Sequence, residues 1–344
     1  MQKQSMRPLL GMFIAGIAMA QAPDVPIMPD RVRSSPELIE AAEAARADGQ
    51  LLSQEVVIEQ ITRQYVPTDS LPEPHSIPLH SREIWQRART AYVRIGWHYL
   101  CNRCDNWHQS FAGGFFINPY GLIATCEHVI DPDRANHREG YLIAATEDGT
   151  LYPVAEVLAA HTATDVAILR VAVDEPVEYL PLNVNAYPGD EAWCYSYPLQ
   201  RAGYFSKGIV NRFHHMDIDG TEVARLAVTT DWAPGSSGSA ILDTYGNAIG
   251  MVSTITPAGT GRSRPQQDGN PSESIGDRTA IIFRTAARAA DIIALTESDN
   301  RSRYTGKEPE IAATEEQDIP NEPEAEDSPH DTESEDAEAS SSEE

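Results

Sequence analysis

Three short stretches carry side chains that could do chemistry together. Residues 231–242 read Asp-Trp-Ala-Pro-Gly-Ser-Ser-Gly-Ser-Ala-Ile-Leu, a small-residue loop directly ahead of an apolar run. Glycines at 235 and 238 on either side of Ser237 let the backbone turn tightly and leave the hydroxyl uncovered. They also let backbone N–H groups converge on one point, as an oxyanion hole requires. Upstream, the run 121–130 places His128 just after a short apolar strand, and the run 164–169 opens a buried-type strand with Asp165. A serine hydroxyl is a poor nucleophile at neutral pH and needs a base during attack. Imidazole titrates near working pH, and a carboxylate behind the ring fixes its tautomer and stabilises the imidazolium. These residues predict covalent acyl transfer. Ser237 is the nucleophile, His128 the general base and then acid, Asp165 the orienter, and the N–H groups of Gly235 and Ser237 the oxyanion hole. Among rivals, His98, His108, His137 and His161 follow no strand ending in Thr-x-x, and Asp174 lies after its strand rather than at its start.

The order His, Asp, Ser, carried by Thr125-Cys-Glu-His-Val129, Asp165-Val-Ala-Ile-Leu169 and Gly235-Ser-Ser-Gly-Ser-Ala240, resembles the trypsin-like serine protease family. It is closest in pattern to the bacterial HtrA-type and glutamyl-endopeptidase-like branches, over about residues 88 to 295. The resemblance implies two six-stranded antiparallel β-barrels with a cleft between them, His128 and Asp165 on the first barrel and Ser237 on the second. It implies polypeptide substrates and no cofactor. Asp231, six residues before Ser237, stands where trypsin carries the acid that selects Arg or Lys, which implies a basic preference; the alternative is that Thr230-Asp231 belongs to a differently shaped loop, as in many bacterial relatives, and selects nothing. Ser253-Thr254-Ile255 is expected to pair with the substrate backbone and border the specificity pocket. Ser236 replaces the aspartate that zymogen-type relatives use, so the site is expected to form without proteolytic activation. Glu127, beside His128, is expected to be an exposed carboxylate with little effect on the ring. The alternative function is a protease-like domain that has lost activity and binds extended peptides.

The elements that must hold these residues are short β-type runs separated by turn signals. They include 91–95, 114–117, 122–125, 141–144, 151–157, 166–171, 191–197, 205–213, 223–229, 240–242, 248–253 and 279–283. That pattern predicts an all-β domain. Residues 285–295 carry alanines and isoleucine at helical spacing and predict a closing helix. Ser35-Pro36-Glu37 reads as a helix start, and apolar residues through Ile61 predict one or two amphipathic helices over 35–64. Pro67, Pro72, Pro74 and Pro78 mark a stiff linker.

Composition sets the context. The chain has 344 residues and a formal charge of −26. That balance argues against nucleic acid or an anionic membrane as partner. The charge is uneven: residues 308–344 hold sixteen acids and no Lys or Arg. This tail, with almost no apolar content, is expected to be disordered and is too short and too acidic for the PDZ domain of HtrA-type proteins. Lys3 and Arg7, the apolar run 9–18 and Ala18-Met19-Ala20 read as an export signal cleaved after Ala20 or Ala22. The expected division is 1–22 signal peptide, 23–84 helical extension and linker, 85–296 protease domain, and 297–344 tail, in a secreted or periplasmic protein. Cys101, Cys104, Cys126 and Cys194 make an even count, which in an exported chain suggests disulfides. Cys101 and Cys104 are read as a local disulfide or free thiols with no metal; the alternative is a zinc site of His98, Cys101, Cys104 and His108. Cys126 and Cys194 fall in apolar strands and read as core.

Overall fold

The computed structural model describes residues 27–32, 34–64, 71–132, 137–259 and 279–296. The expected signal peptide, the acidic tail, the start of the proline linker (65–70) and most of the Gly/Pro/Ser-rich segment 258–277 lie outside the described residues.

Helix α1 (Pro36–Ala47) starts as its sequence dictates. Ser35 accepts a hydrogen bond from the Leu38 N–H at 3.1 Å, and Pro36 occupies the first turn, where its missing N–H costs nothing. Leu38, Ala42 and Ala45 form its buried face. Strand β1 (Leu52–Ser53) and helix α2 (Gln54–Gln60) follow, then helix α3 (Ser81–Ala91). The first barrel is built from β2 (Tyr92–Cys101), β3 (Trp107–Phe116), β4 (Leu122–Thr125), β5 (His137–Ala145), β6 (Leu151–His161) and β7 (Val166–Val171). Its order is β5-β2-β3-β4-β7-β6, closed by the β5–β6 pairing, with β1 added on the outside of β5. A one-turn helix, α4 (Glu127–Ile130), interrupts the path from β4 to β5.

The second barrel contains β8 (Glu191–Ser196), β9 (Tyr204–Ile218), β10 (Thr221–Val228), β11 (Ala240–Leu242), β12 (Ala248–Gly259) and β13 (Thr279–Arg288). It closes in the order β10-β13-β12-β11-β8-β9. Two six-stranded antiparallel rings are therefore the architecture that the strand pattern and the resemblance predict. One hydrophobic cluster runs through the first barrel and into the second, joining Phe115, Ile123 and Leu169 to Tyr195, Leu242 and Met251. A separate cluster fills the second barrel around Cys194, Val210, Leu226 and Ile241.

Two elements differ from expectation. The alanine-rich run 285–295 is strand through Arg288, and only α5 (Ala289–Ala294) is helical. Leu226 pairs with Ala286 across β10 and β13, and both Ala286 and Ala287 are fully buried. Sheet closure outweighs the mild helix preference of alanine there. Helix α3, whose charged sequence hides its periodicity, spans the expected linker–domain boundary at 84/85, where the sequence reading places no helix. Its inward face is Ile84, Ala88 and Ala91, and fully burying one Ile is worth roughly 1.5–3 kcal/mol.

The segment leading into α3 runs across the second barrel. Leu79 N–H donates to the Thr244 carbonyl at 2.8 Å. The fully buried Asn247 side chain accepts from His75 N–H at 2.8 Å and donates to its carbonyl at 3.0 Å. Helix α3 then packs against β8 and β11 before the chain turns into β2 of the first barrel. On the far side, α1 docks through Glu43, whose carboxylate meets His98 Nε2 at 2.6 Å, and through Arg46, 4.6 Å over the Trp107 ring.

Candidate active site

The acid–base half of the site is assembled on the first barrel. Strand β4 is buried at all four positions and delivers Cys126, then His128 in the first turn of α4. The next strand to pair with β4 is β7, and Asp165 sits immediately before it. The turn at 162–165 closes with an Asp165 N–H to Thr162 carbonyl bond of 3.0 Å. Asp165 has φ +59°, in the left-handed region that aspartate tolerates better than most side chains. The result is direct: His128 Nδ1 lies 2.8 and 3.0 Å from the two Asp165 carboxylate oxygens. The same carboxylate accepts from the His128 backbone N–H at 3.2 Å and from the Ser253 hydroxyl. Burial pushes the Asp165 carboxyl up, but these donors, His128 foremost, hold it below its ordinary value. The imidazole is 46% exposed while the carboxylate is 11% exposed. The ring is therefore tied through Nδ1 to a shielded charge while nearly half of its surface is exposed.

The loop carrying Ser237 belongs to the second barrel and meets the first through backbone. Gly113 N–H donates to the Ser237 carbonyl at 2.7 Å, and Gly113 carbonyl accepts from the Thr125 hydroxyl at 2.7 Å. Gly238 has φ +84°, and a methyl group there would lie 2.1 Å from the Gly113 oxygen and 2.7 Å from Thr125 Oγ1. Only glycine permits that approach. Gly238 N–H donates to the Val252 carbonyl at 2.8 Å, and Cys126 donates its S–H to the same carbonyl at 3.0 Å. Through Thr125, Cys126 and Val252, the serine loop is held against the strand end that delivers His128. Gly235, at φ +98°, turns the chain ahead of the serine. Among the described residues, the N–H groups of Gly235 and Ser237 donate to no protein acceptor.

The remaining expected residues fall as follows. Ser253 is buried with its hydroxyl on Asp165, so its side chain serves the carboxylate, while Thr254 is exposed on β12 and Ile255 packs on the second barrel's core. Asp231 is half-exposed and ion-paired with Arg284 at 2.5 Å, so the acid that would read a basic side chain already has a cation. Ser236 is fully buried and donates to Ser196 Oγ at 3.1 Å. Glu127 is half-buried rather than exposed, accepts from Thr162 at 3.1 Å, and is raised by burial. The rival histidines are elsewhere: His98 on Glu43, His108 at Cys104, His137 stacked on Tyr99, and His161 on Thr164.

Cys126, His128 and Asp165 also have metal-ligand spacing. Burial raises the Cys126 thiol well above its usual range, and a protonated S–H donor is not a ligand. Arg225 was not foreseen. Buried on β10, it donates to the carbonyls of Thr164 and, at 2.8 Å, Ala163, so the second barrel clamps the turn that presents Asp165. Nothing near Arg225 in the sequence marks that role. A cavity of about 220 Å³ adjoins Gly235, lined by Tyr92, Arg94, Phe111 and Tyr197 and by Val32 from the leader.

Comparison with known proteins agrees with this geometry. Residues 112–251 match the trypsin-like peptidase domain family. The chain is 30% identical over 150 residues, 42% of its length, to the uncharacterized protein y4bJ of Sinorhizobium fredii. It is 25% identical over 205 residues, 58% of its length, to a probable periplasmic serine endoprotease, DegP-like, of Pseudomonas savastanoi. The matches span 22% and 41% of those two proteins, less than half of either. The histidine tied to a shielded aspartate and the glycine-framed serine loop pressed against the same strand end both fall inside the span, residues 112–251, that matches the trypsin-like peptidase domain family.

Proposed function

We propose that the chain is an exported serine endopeptidase that cleaves polypeptides through an acyl-enzyme. The observation that carries this reading is the His128–Asp165 pair, an imidazole nitrogen on a buried carboxylate within a chain segment that also presses the Ser237 loop against the same strand end. Ser237 Oγ attacks the scissile carbonyl as His128 takes its proton. Asp165 holds the ring by Nδ1–H and stabilises the imidazolium. The N–H groups of Gly235 and Ser237 receive the developing oxyanion, and His128 returns the proton to the leaving amine. Water then hydrolyses the acyl-enzyme by the same relay. An extended substrate pairs beside Thr254 and Ile255, and the cavity next to Gly235 accommodates a substrate side chain. Export rests on the basic and apolar N-terminal pattern, and the periplasmic name of the Pseudomonas relative points the same way. Among the described residues no helix is long and apolar enough to cross a membrane.

The test is labelling with a fluorophosphonate probe alongside cleavage of a peptide library. Wild type is expected to be labelled once, at Ser237, and to cleave without prior clipping. Ser237→Ala is expected to lose both while keeping its melting temperature. A wild-type protein that binds peptides but takes no label would make the domain a peptide-binding module instead.

A further inference from the structure

The β2–β3 hairpin ends in a cluster that the peptidase reading leaves unused. Cys101 closes β2, Cys104 lies in the connecting turn, and His108 is the second residue of β3. The two cysteines are free thiols. One ligand atom from each of the three residues lies within 4.8 Å of the other two, and Cys104 Sγ is 2.9 Å from His108 Nε2. Zinc bonds to sulfur are ~2.3 Å and to imidazole nitrogen ~2.0–2.1 Å, so ligand atoms around a tetrahedral centre sit roughly 3.5–3.8 Å apart. The cluster reaches that spacing by side-chain adjustments of about an ångström.

Backbone N–H groups of the turn also point at the sulfurs. Arg103 N–H donates to Cys101 Sγ at 3.4 Å, from two residues further along the chain. Asn106 N–H points at the Cys104 sulfur in the same relation, after Asp105 turns the backbone at φ +53°. An N–H aimed at sulfur favours thiolate over thiol, and thiolate is the form that binds metal. Two thiolates and a neutral imidazole carry −2, which one divalent cation cancels. His98 does not join the set: it is fully buried, bonded to Glu43 and stacked on Trp107 at 4.7 Å. Cys104 and His108 face solvent, which leaves a fourth position for water.

We propose that Cys101, Cys104 and His108 bind one zinc ion, with water as fourth ligand, and that the ion staples the tip of the β2–β3 hairpin. Binding displaces the two thiol protons to solvent. The role is structural. His108 is five residues from Gly113, the contact of the serine loop, or roughly 17 Å along an extended strand.

The experiment uses the reduced, full-length protein stripped by a chelator, titrated with zinc and separately with cobalt. The expected result is one zinc per chain by native mass spectrometry, held against a chromophoric chelator. Cobalt should give intense sulfur-to-metal charge-transfer bands and visible bands of tetrahedral type. Cys104→Ser and His108→Ala should each weaken zinc binding by at least ~10-fold, and Ser237→Ala should leave it unchanged. Cys104→Ser is expected to retain peptidase activity, so loss of the metal site and failure of the catalytic reading are separate outcomes. Three results would overturn the proposal: protein isolated without reductant that is 2 Da lighter through a Cys101–Cys104 disulfide and takes up no metal after reduction; octahedral cobalt spectra without sulfur bands; or undiminished stoichiometry and affinity in Cys104→Ser.

Discussion

The two halves of the candidate site are held by different means. On the first barrel, His128 and Asp165 are fixed by side chains: the ring on the carboxylate, Ser253 on the same carboxylate, and Arg225 clamping the turn behind it. On the second barrel, the Ser237 loop is fixed by backbone. Gly113, Gly238 and the carbonyls of Ser237 and Val252 make the contacts, and two glycines adopt positive φ. A side-chain scaffold can lose one hydrogen bond and keep its shape. A backbone scaffold tolerates no added atom at its closest approach but carries few groups whose protonation matters. Removing a scaffold contact should therefore cost chemistry without fold in the first half, whereas adding an atom at the closest backbone approach of the second half should cost both together.

The sharpest way to break that contrast is Asp165→Asn. The amide keeps the shape of the carboxylate but favours the wrong imidazole tautomer, and a drop in kcat of about 10⁴-fold is expected, with the circular dichroism spectrum unchanged. A loss under tenfold would mean that the carboxylate does not orient the base. Next comes Gly238→Ala, where the new methyl meets the Gly113 carbonyl and the backbone is left-handed. It should cost about 3 kcal/mol in urea unfolding and reduce activity in parallel. Gly149→Ala is its control: φ is +91° but no atom lies within 4 Å of the added carbon, so only backbone strain of about 1 kcal/mol remains. Equal effects at the two glycines would sink the close-approach account.

The smallest effect is a pH dependence. Because the Asp165 carboxyl is held below its ordinary value, its ionised form contributes stability that is fully present above the unfolded value. That contribution drains away as pH falls through the lowered folded value. Below about pH 4 the Tm difference between wild type and Asp165→Asn should shrink. A difference that grows in acid would mean the carboxyl is raised instead.

Much of this was legible because local chemistry and strand pattern coincide. Ser237 stands between two glycines, and His128 and Asp165 each adjoin a run of apolar residues, so type, spacing and order all pointed one way. What escaped depends on residues distant in the chain. Asp231 reads as a free acid until Arg284, 53 positions later, folds onto it. Ser253 reads as part of a substrate-pairing strand, yet its hydroxyl turns inward to a carboxylate 88 residues upstream. Arg225 is one arginine in an alternating strand, and its role exists only once β10 lies against the 162–165 turn. The run 285–288 has helical composition but supplies the last staves of a barrel, a demand set by the other five strands. Helix α3 hides its three inward residues among charges.

The strap across the second barrel bears on how the protein comes into being. His75 leaves the ribosome early, and its partner Asn247 follows 172 residues later. Until then the strap lacks its buried side-chain anchor, and the second barrel lacks β12 and β13. The belt is threaded first and buckled last. A nascent chain halted before residue 247 could complete the ring of β2 to β7 and still lack the last strands of the second barrel, so the candidate site is completed as one late event rather than growing with length.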